Sequence, residues 1–168
     1  ARPEVKRTAL VLIAADRGLA GSFNANVFRK FEKQIDNLQL TTDDLLQRYV
    51  FIAVGKKAEE FLNRKGILPK ASFKGFGDYA TPEEVRPLTQ GLIEGFLKGE
   101  WDAATVISTH FRTTLRQDVL VREVLPIEGA KLMETIKEIT PDYGKYSNNL
   151  ESKDGISRIN HESALDSN

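Results

Sequence analysis

The chain has 168 residues, and its 24 lysines and arginines balance its 24 aspartates and glutamates, so the formal net charge is zero. That balance argues against a nucleic-acid-binding protein, because neutralising phosphates requires a clustered excess of Lys and Arg. The absence of cysteine excludes disulfides, thiolate zinc sites and a cysteine nucleophile. The longest apolar run, Ala9 to Ala15, is far shorter than the roughly 20 residues that span a bilayer. The first residues contain neither an initiator Met nor the apolar core of a signal peptide, so we expect a processed or excised piece.

The first half of the chain alternates apolar runs with amphipathic stretches. Continuous runs rich in Val and Ile are typical of strands buried on both faces of a parallel sheet. Asn24 can cap the first amphipathic stretch, Gly55 ends the second apolar run, and Gly66 ends the second amphipathic stretch. The elements predicted here are strands over 8–15 and 49–54 and helices over 24–39 and 56–65.

The second half continues the alternation and then departs from it. Thr81-Pro-Glu-Glu84 forms a capping box with proline at the first helical position, and Pro87 is expected to kink the helix that follows or to remove one of its hydrogen bonds. The last two strands are joined by residues 112–117, which are too few for a helical crossover, so we expect them to be antiparallel. The elements predicted here are a weak strand over 71–74, a helix over 82–98, and strands over 103–109 and 119–125.

These elements predict an α/β fold. We expect a three-layer sandwich with a mostly parallel sheet of about five strands and helices on both faces, formed by residues 1–128. Residues 129–168 differ in composition. A short helix over 131–139 is followed by a polar segment, 141–168, which we expect to be a disordered tail or insertion.

Two polar residues follow strands where ligands of open α/β sheets commonly bind, at the carboxyl ends of the strands. Asp16 could accept a phosphoryl group or bind a metal, and His110 could act as a base, which leaves a nucleotide-binding domain or enzyme as an alternative function. Neither residue has an evident set of partners. A phosphoacceptor domain would also need further acidic residues beside the first strand, where Ala14 and Ala15 stand.

Phosphate-binding loops are not supported by the glycine patterns. A P-loop ending at Gly55-Lys56 would need glycine at position 50 and Ser or Thr at position 57, but Val50 and Lys57 occupy them. Residues 75–80 match G-x-G-x-x-A, yet the next helix begins only after this motif, so its N-terminus cannot meet a pyrophosphate within it. We therefore expect no cofactor and no binding of ATP or NAD.

Four segments resemble the globular domain of the F-type ATP synthase gamma subunit family. Leu10 to Asn24 contains Asp16-Arg-Gly-Leu-Ala-Gly21, which is similar to the family's D-R-G-L-C-G loop after its first strand, with Ala20 in place of the frequent cysteine. The other similar segments are Tyr49-Val-Phe-Ile-Ala-Val-Gly-Lys-Lys57, Val106-Ile-Ser-Thr-His-Phe111 and Val124-Leu-Pro-Ile127. The resemblance covers about residues 5–128.

The sequence also departs from that family. Family members begin and end with long helices that form a coiled-coil shaft. This chain starts where the first of those helices would end and stops before the last would begin, so we expect it to be an isolated globular domain. Residues 129–168 are longer and more polar than the corresponding segment of most members. Photosynthetic members carry a regulatory cysteine pair near this point, and a chain without cysteine cannot have that control.

The resemblance implies a rotor component without catalytic residues of its own. Its implied partners are the epsilon subunit, the alpha/beta catalytic hexamer and the membrane c-ring, and its implied location is peripheral on the energy-coupling membrane, on the cytoplasmic side in a bacterium. ATP would form on the beta subunits, and this component would couple them to proton flow and influence ATPase activity. The implied contact with acidic loops of the beta subunits comprises Asp16, Arg17, Gly18, Leu19, Ala20 and Gly21, with Arg17 as the charged group.

Overall fold

The structure is a computed structural model that describes residues 4–17, 21–76, 80–113, 116–129 and 133. The chain separates into two units, Ala1–Glu128 and Gly129–Asn168. All strands and helices named below belong to the first unit. The short helix and the polar tail predicted beyond residue 129 lie outside the described residues, apart from Gly129 and Met133.

Five strands form one sheet in the order β3-β2-β1-β4-β5, in which only β4 and β5 pair antiparallel. This confirms the predicted α/β architecture and the antiparallel last pair. The elements are β1 (Thr8–Ile13), α1 (Gly21–Asp36), α2 (Thr42–Arg48), β2 (Tyr49–Val54), α3 (Lys56–Arg64), β3 (Ala71–Phe73), α4 (Pro82–Lys98), β4 (Ala103–Thr113) and β5 (Arg116–Leu125). None of the described helices is long and apolar enough to cross a membrane.

The structure differs from the predicted elements in three places. Helix α1 begins at Gly21, so Asn24 lies inside the helix rather than at its cap. Helix α2 was not predicted, although the hydroxyl of Thr41 accepts the N–H of Asp44 at 3.2 Å and caps it. The hairpin strands are longer than expected, because β4 and β5 pair from Ala104 to Thr113 and so continue beyond the last residue of β4 that pairs with β1, Ile107.

One face of the sheet is covered by α1, α2 and α3. Alternate residues of the central strands, such as Leu12 of β1 and Ile107 of β4, are fully buried there. Phe61 of α3 stacks on Phe28 of α1 with ring centroids 4.2 Å apart and meets Phe31 edge-on at 5.6 Å. These aromatic contacts fix the two helices against each other over the middle of the sheet.

The opposite face is covered by α4, which begins at the predicted capping box: the Thr81 hydroxyl accepts the N–H of Glu84, whose carboxylate accepts the N–H of Thr81. The indole of Trp101 is almost fully buried beneath α4 and donates its Nε1–H to the carbonyl of Leu92 at 3.1 Å. The ring lies directly against the backbone at Gly95. A Cβ there would stand 2.0 Å from Cζ2 of Trp101, so only glycine allows the helix to approach this closely.

We expect Gly95→Ala to destabilise the domain by about 1–3 kcal/mol, because the new methyl group must displace a buried, hydrogen-bonded indole. Gly91→Ala is the matched control. It lies one turn earlier in α4, is exposed and has no atom within 4 Å of the added Cβ, so we expect it to be neutral or stabilising by about 0.5–1 kcal/mol. Urea unfolding of both variants measures the difference. Equal stabilities would contradict the role of Gly95.

Candidate functional site

Asp16 and Arg17, the first two residues of the candidate segment Asp16–Gly21, lie in the connection between β1 and α1, at the carboxyl edge of the parallel strands. Asp16 is half-buried, and the Arg17 side chain is exposed. Gly18, Leu19 and Ala20 lie outside the described residues, and Gly21 is the first residue of α1. The structure therefore describes the two charged residues of the segment and the start of the helix that follows it.

Asp16 is held by backbone groups from two other connections of the fold. Its Oδ1 accepts the N–H of Lys56 at 2.8 Å, and its Oδ2 accepts the N–H groups of Gly75 at 2.9 Å and Phe76 at 3.0 Å. Lys56 is the first residue of α3, and Gly75 and Phe76 follow β3. We call this group, the Asp16 carboxylate with the N–H groups of Lys56, Gly75 and Phe76, the Asp16 clasp.

The clasp satisfies a helix terminus that has no cap of its own. The residue before α3 is Gly55, which has no side chain to accept the first N–H groups of the helix. The Asp16 carboxylate accepts one of them, and the carbonyl of Ala15 accepts the next, from Lys57, at 3.0 Å. A negative charge at this position also interacts favourably with the positive end of the α3 dipole.

The residues just before Asp16 are anchored as well. The N–H of Ala14 donates to the carbonyl of Val54 at 2.9 Å, and the N–H of Ala15 donates to Oδ1 of Asn24 at 3.0 Å. Asn24 is the one polar residue among the buried residues that the structure describes, with 9% exposure. Its side-chain oxygen therefore accepts from the β1–α1 connection and does not cap the helix.

A second link joins α3 to the residue after β3. The ammonium of Lys74 donates to Oε2 of Glu59 at 2.9 Å. This hydrogen bond, with a smaller contribution from Ser72, holds the pKa of the Glu59 carboxyl below its usual range. Because the folded-state pKa is lowered, the link is present at neutral pH and is lost only as the pH falls through that lowered pKa.

A mostly apolar cleft of about 620 Å³ opens beside the clasp. Asp16 and Arg17 line it together with residues of β1, β2, α1 and α4. The other lining residues are Ile13, Ala14, Ala15, Phe23, Val54, Phe76, Ala80, Val85 and Leu88.

The structure does not bring Asp16 and His110 together in this cleft. His110 is half-buried on β4, opposite Asp118 of β5, and is not among the cleft-lining residues. Both carboxylate oxygens of Asp16 already accept backbone N–H groups. Within the described part of the chain, no group of three or more His, Cys, Asp or Glu side chains is placed to hold a metal ion. The arrangement around Asp16 is suited to joining loops rather than to acid–base chemistry.

The glycine motif at 75–80 has a structural use. Its first two N–H groups, on Gly75 and Phe76, donate to Asp16, so the donors that a phosphate would require are bound to a carboxylate of the same chain. Helix α4 starts at Pro82, after the motif, as the sequence indicated. Residues 77–79 lie outside the described residues.

Comparison with known proteins identifies the family. A family model described as ATP synthase matches residues 1–160. The chain belongs to that family. It is similar to the ATP synthase gamma chains of Moorella thermoacetica, with 35% identity over 74% of this chain and 42% of the relative, and of Exiguobacterium sibiricum, with 34% identity over 73% of this chain and 42% of the relative. The Ligilactobacillus salivarius gamma chain is 30% identical over 76% of this chain and 40% of the relative.

This member of the ATP synthase family spans about 40% of the length of the curated gamma chains that it matches. Its fold is similar to a chain in the central stalk and c-ring structure of Tetrahymena thermophila mitochondrial ATP synthase, with a TM-score of 0.59, 24% identity, and coverage of 88% of this chain and 61% of that chain. A rotor chain of the Euglena gracilis enzyme gives a TM-score of 0.53 at 17% identity, with coverage of 86% of this chain and 48% of that chain. These structures support the fold.

The sequence of this ATP synthase family member indicated the segment Asp16–Gly21 but not the hydrogen bonds that hold Asp16. The partners of Asp16 are backbone N–H groups 40, 59 and 60 residues away, and no side-chain pattern indicates them. The one local signal was Gly55. Its φ is +90°, and a Cβ there would lie 1.9 Å from the carbonyl oxygen of Ala14, so this glycine permits the β1–α1 connection to lie against the start of α3.

We expect Gly55→Ala to cost more stability than Gly66→Ala, because both residues have a positive φ but only Gly55 also approaches another backbone. The strained φ accounts for about 1–3 kcal/mol in each variant, and the clash with Ala14 adds about 1–3 kcal/mol to the first. Equilibrium unfolding in urea measures both. Equal losses would show that the close approach is not a constraint.

Proposed function

We propose that this chain is the globular part of a gamma-type rotor subunit, a non-catalytic component that couples proton flow to ATP synthesis on other subunits. The observation that carries the proposal is the similarity to ATP synthase gamma chains over about three quarters of the chain. The fold shared with solved central-stalk chains supports it. Its location is then peripheral on the energy-coupling membrane, on the cytoplasmic side in a bacterium, with the c-ring beneath it.

Coupling requires a lever, and the described helices do not provide one. Helices α1 and α4, with 16 and 17 residues, span only about 25 Å at 1.5 Å per residue. Both bury their apolar faces in the domain's own core. The proposed role of this domain is therefore to bind the epsilon subunit and rest on the c-ring, while flanking helices reach into the alpha/beta hexamer.

The proposed contact with the hexamer is the segment Asp16–Gly21, in which Arg17 meets acidic loops of the beta subunits. Arg17 is exposed, and an ion pair between exposed groups contributes only about 0–1 kcal/mol. A contact of that strength forms and breaks easily in a turning rotor. Asp16 itself supports the segment and leaves Arg17 as the group that meets a partner.

The direct test combines this chain with purified catalytic and epsilon subunits and the membrane sector. We expect the chain alone to bind epsilon, because binding needs only the folded surface. We do not expect it to restore proton-coupled ATP synthesis, because none of the described helices is long enough to reach into the hexamer. The same domain with both flanking helices is expected to restore synthesis. Epsilon binding is read by analytical ultracentrifugation, and synthesis is read in proteoliposomes energised by a pH step.

Two results would remove the rotor assignment. One is coupled synthesis restored by the chain without flanking helices. The other is a folded chain, shown by a cooperative thermal transition, that does not bind epsilon at any concentration tested.

The Arg17 contact has its own test in the subunit with flanking helices. We expect Arg17→Glu to weaken the association with the hexamer by up to about fivefold, the equivalent of an exposed ion pair, and to remove part of its salt dependence. The matched control is Arg64→Glu, which reverses the charge of another exposed arginine at the far end of α3, at the opposite edge of the sheet. Equal effects of the two variants would assign the change to net charge and exclude a specific contact at Arg17.

A further inference from the structure

We propose that Asp16 is a positioning residue: its carboxylate fills an anion-binding site made by the backbone of the same chain, and this fixes the position from which Arg17 is presented. What Arg17 meets rests on the proposed function. The positioning itself does not, because every group in the clasp belongs to this chain.

The donors of the clasp form an arrangement that binds anions in other settings. Lys56 N–H lies at the start of α3, where the free N–H groups and the helix dipole attract negative charge. Gly75 has a φ of +84°, and the consecutive N–H groups of Gly75 and Phe76 converge on one oxygen, as in a backbone nest. Two elements that each favour an anion thus donate to the same carboxylate, the start of α3 to Oδ1 and the turn after β3 to Oδ2.

The carboxylate holds these elements in a way that a neutral residue cannot. Hydrogen bonds to a charged acceptor are about twice as strong as bonds between neutral groups. If Asp16 moved away, the helix terminus and the turn after β3 would both lose their acceptor. An asparagine would place an N–H₂ group against at least one of the N–H donors, so even this isosteric change disrupts part of the clasp.

The Asp16 clasp restricts Arg17 because the two residues are adjacent in the chain. Ala14 and Ala15 are tied to β2, α3 and Asn24, and Asp16 continues that anchoring to the residue directly before Arg17. With Asp16 fixed, the backbone leading into Arg17 has little freedom. Without it, the anchoring ends earlier, and Arg17 samples a wider range of positions above the cleft that it lines.

The absence of native cysteine makes this measurable by spin labelling at a single introduced site. A nitroxide on Arg17→Cys reports the mobility of position 17. A nitroxide on Gln90→Cys, on the exposed face of α4, is the control. Each label is measured in the parent chain and together with Asp16→Asn, Asp16→Ala or Gly95→Ala. The last variant is expected to lower stability through the contact with Trp101, which involves none of the residues of the clasp.

We expect both Asp16 variants to shift the spectrum at position 17 toward the fast-moving component and to leave position 90 unchanged. Gly95→Ala is expected to leave position 17 unchanged despite its loss of stability. In Asp16→Ala, added formate is expected to reverse the shift, because formate can occupy the place of the lost carboxylate, whereas sodium chloride at the same ionic strength is not.

Three outcomes would overturn the proposal: no change at position 17 in the Asp16 variants, an equal change in Gly95→Ala, or a change that formate does not reverse.

If the Asp16 variants fail to fold, amide hydrogen exchange in the unmodified chain decides. The amides of Gly75 and Phe76 are expected to exchange at least tenfold more slowly than free amides. Unprotected amides at both residues would overturn the clasp. None of these measurements involves an ATP synthase partner, so a failure of the rotor assignment stays distinguishable from a failure of this one.

Discussion

One carboxylate, that of Asp16, connects the segments that follow three of the parallel strands. Asp16 joins the connection after β1 to the start of α3 and to the turn after β3, and it supplies the negative charge that both of those elements favour. In open α/β sheets the carboxyl edge is where ligands commonly bind. Here the N–H donors that would receive an anionic ligand donate to a carboxylate of the protein itself.

Much of the fold could be predicted because its signals are local. The start of helix α4 was predicted correctly from its capping box, and the end of β2 was predicted from Gly55. The antiparallel pairing of β4 and β5 followed from the short link between them. Each of these signals lies within a few residues of the feature that it determines.

The errors arose where contacts between different elements decide the local structure. Asn24 has the side chain of a helix cap, but its oxygen accepts the N–H of Ala15, and α1 begins before it. Asp16 was recognised as a loop residue of interest, but its three donors are far away in sequence and belong to the backbone. Gly95 gave no sign of its role, since only the packed structure shows that Trp101 requires a helix without a side chain at that position.

In the proposed contact with the hexamer, the adjacent residues Asp16 and Arg17 have different roles. A rotor contact must be weak enough to break at each step, yet the group that makes it must be held in place so that little entropy is lost each time the contact forms. An exposed arginine meets the first requirement but, on a free loop, fails the second. A neighbouring aspartate bound to three backbone N–H groups meets the second without strengthening the contact itself. In this proposed arrangement the strong interaction stays inside the domain, and only the weak one faces the partner.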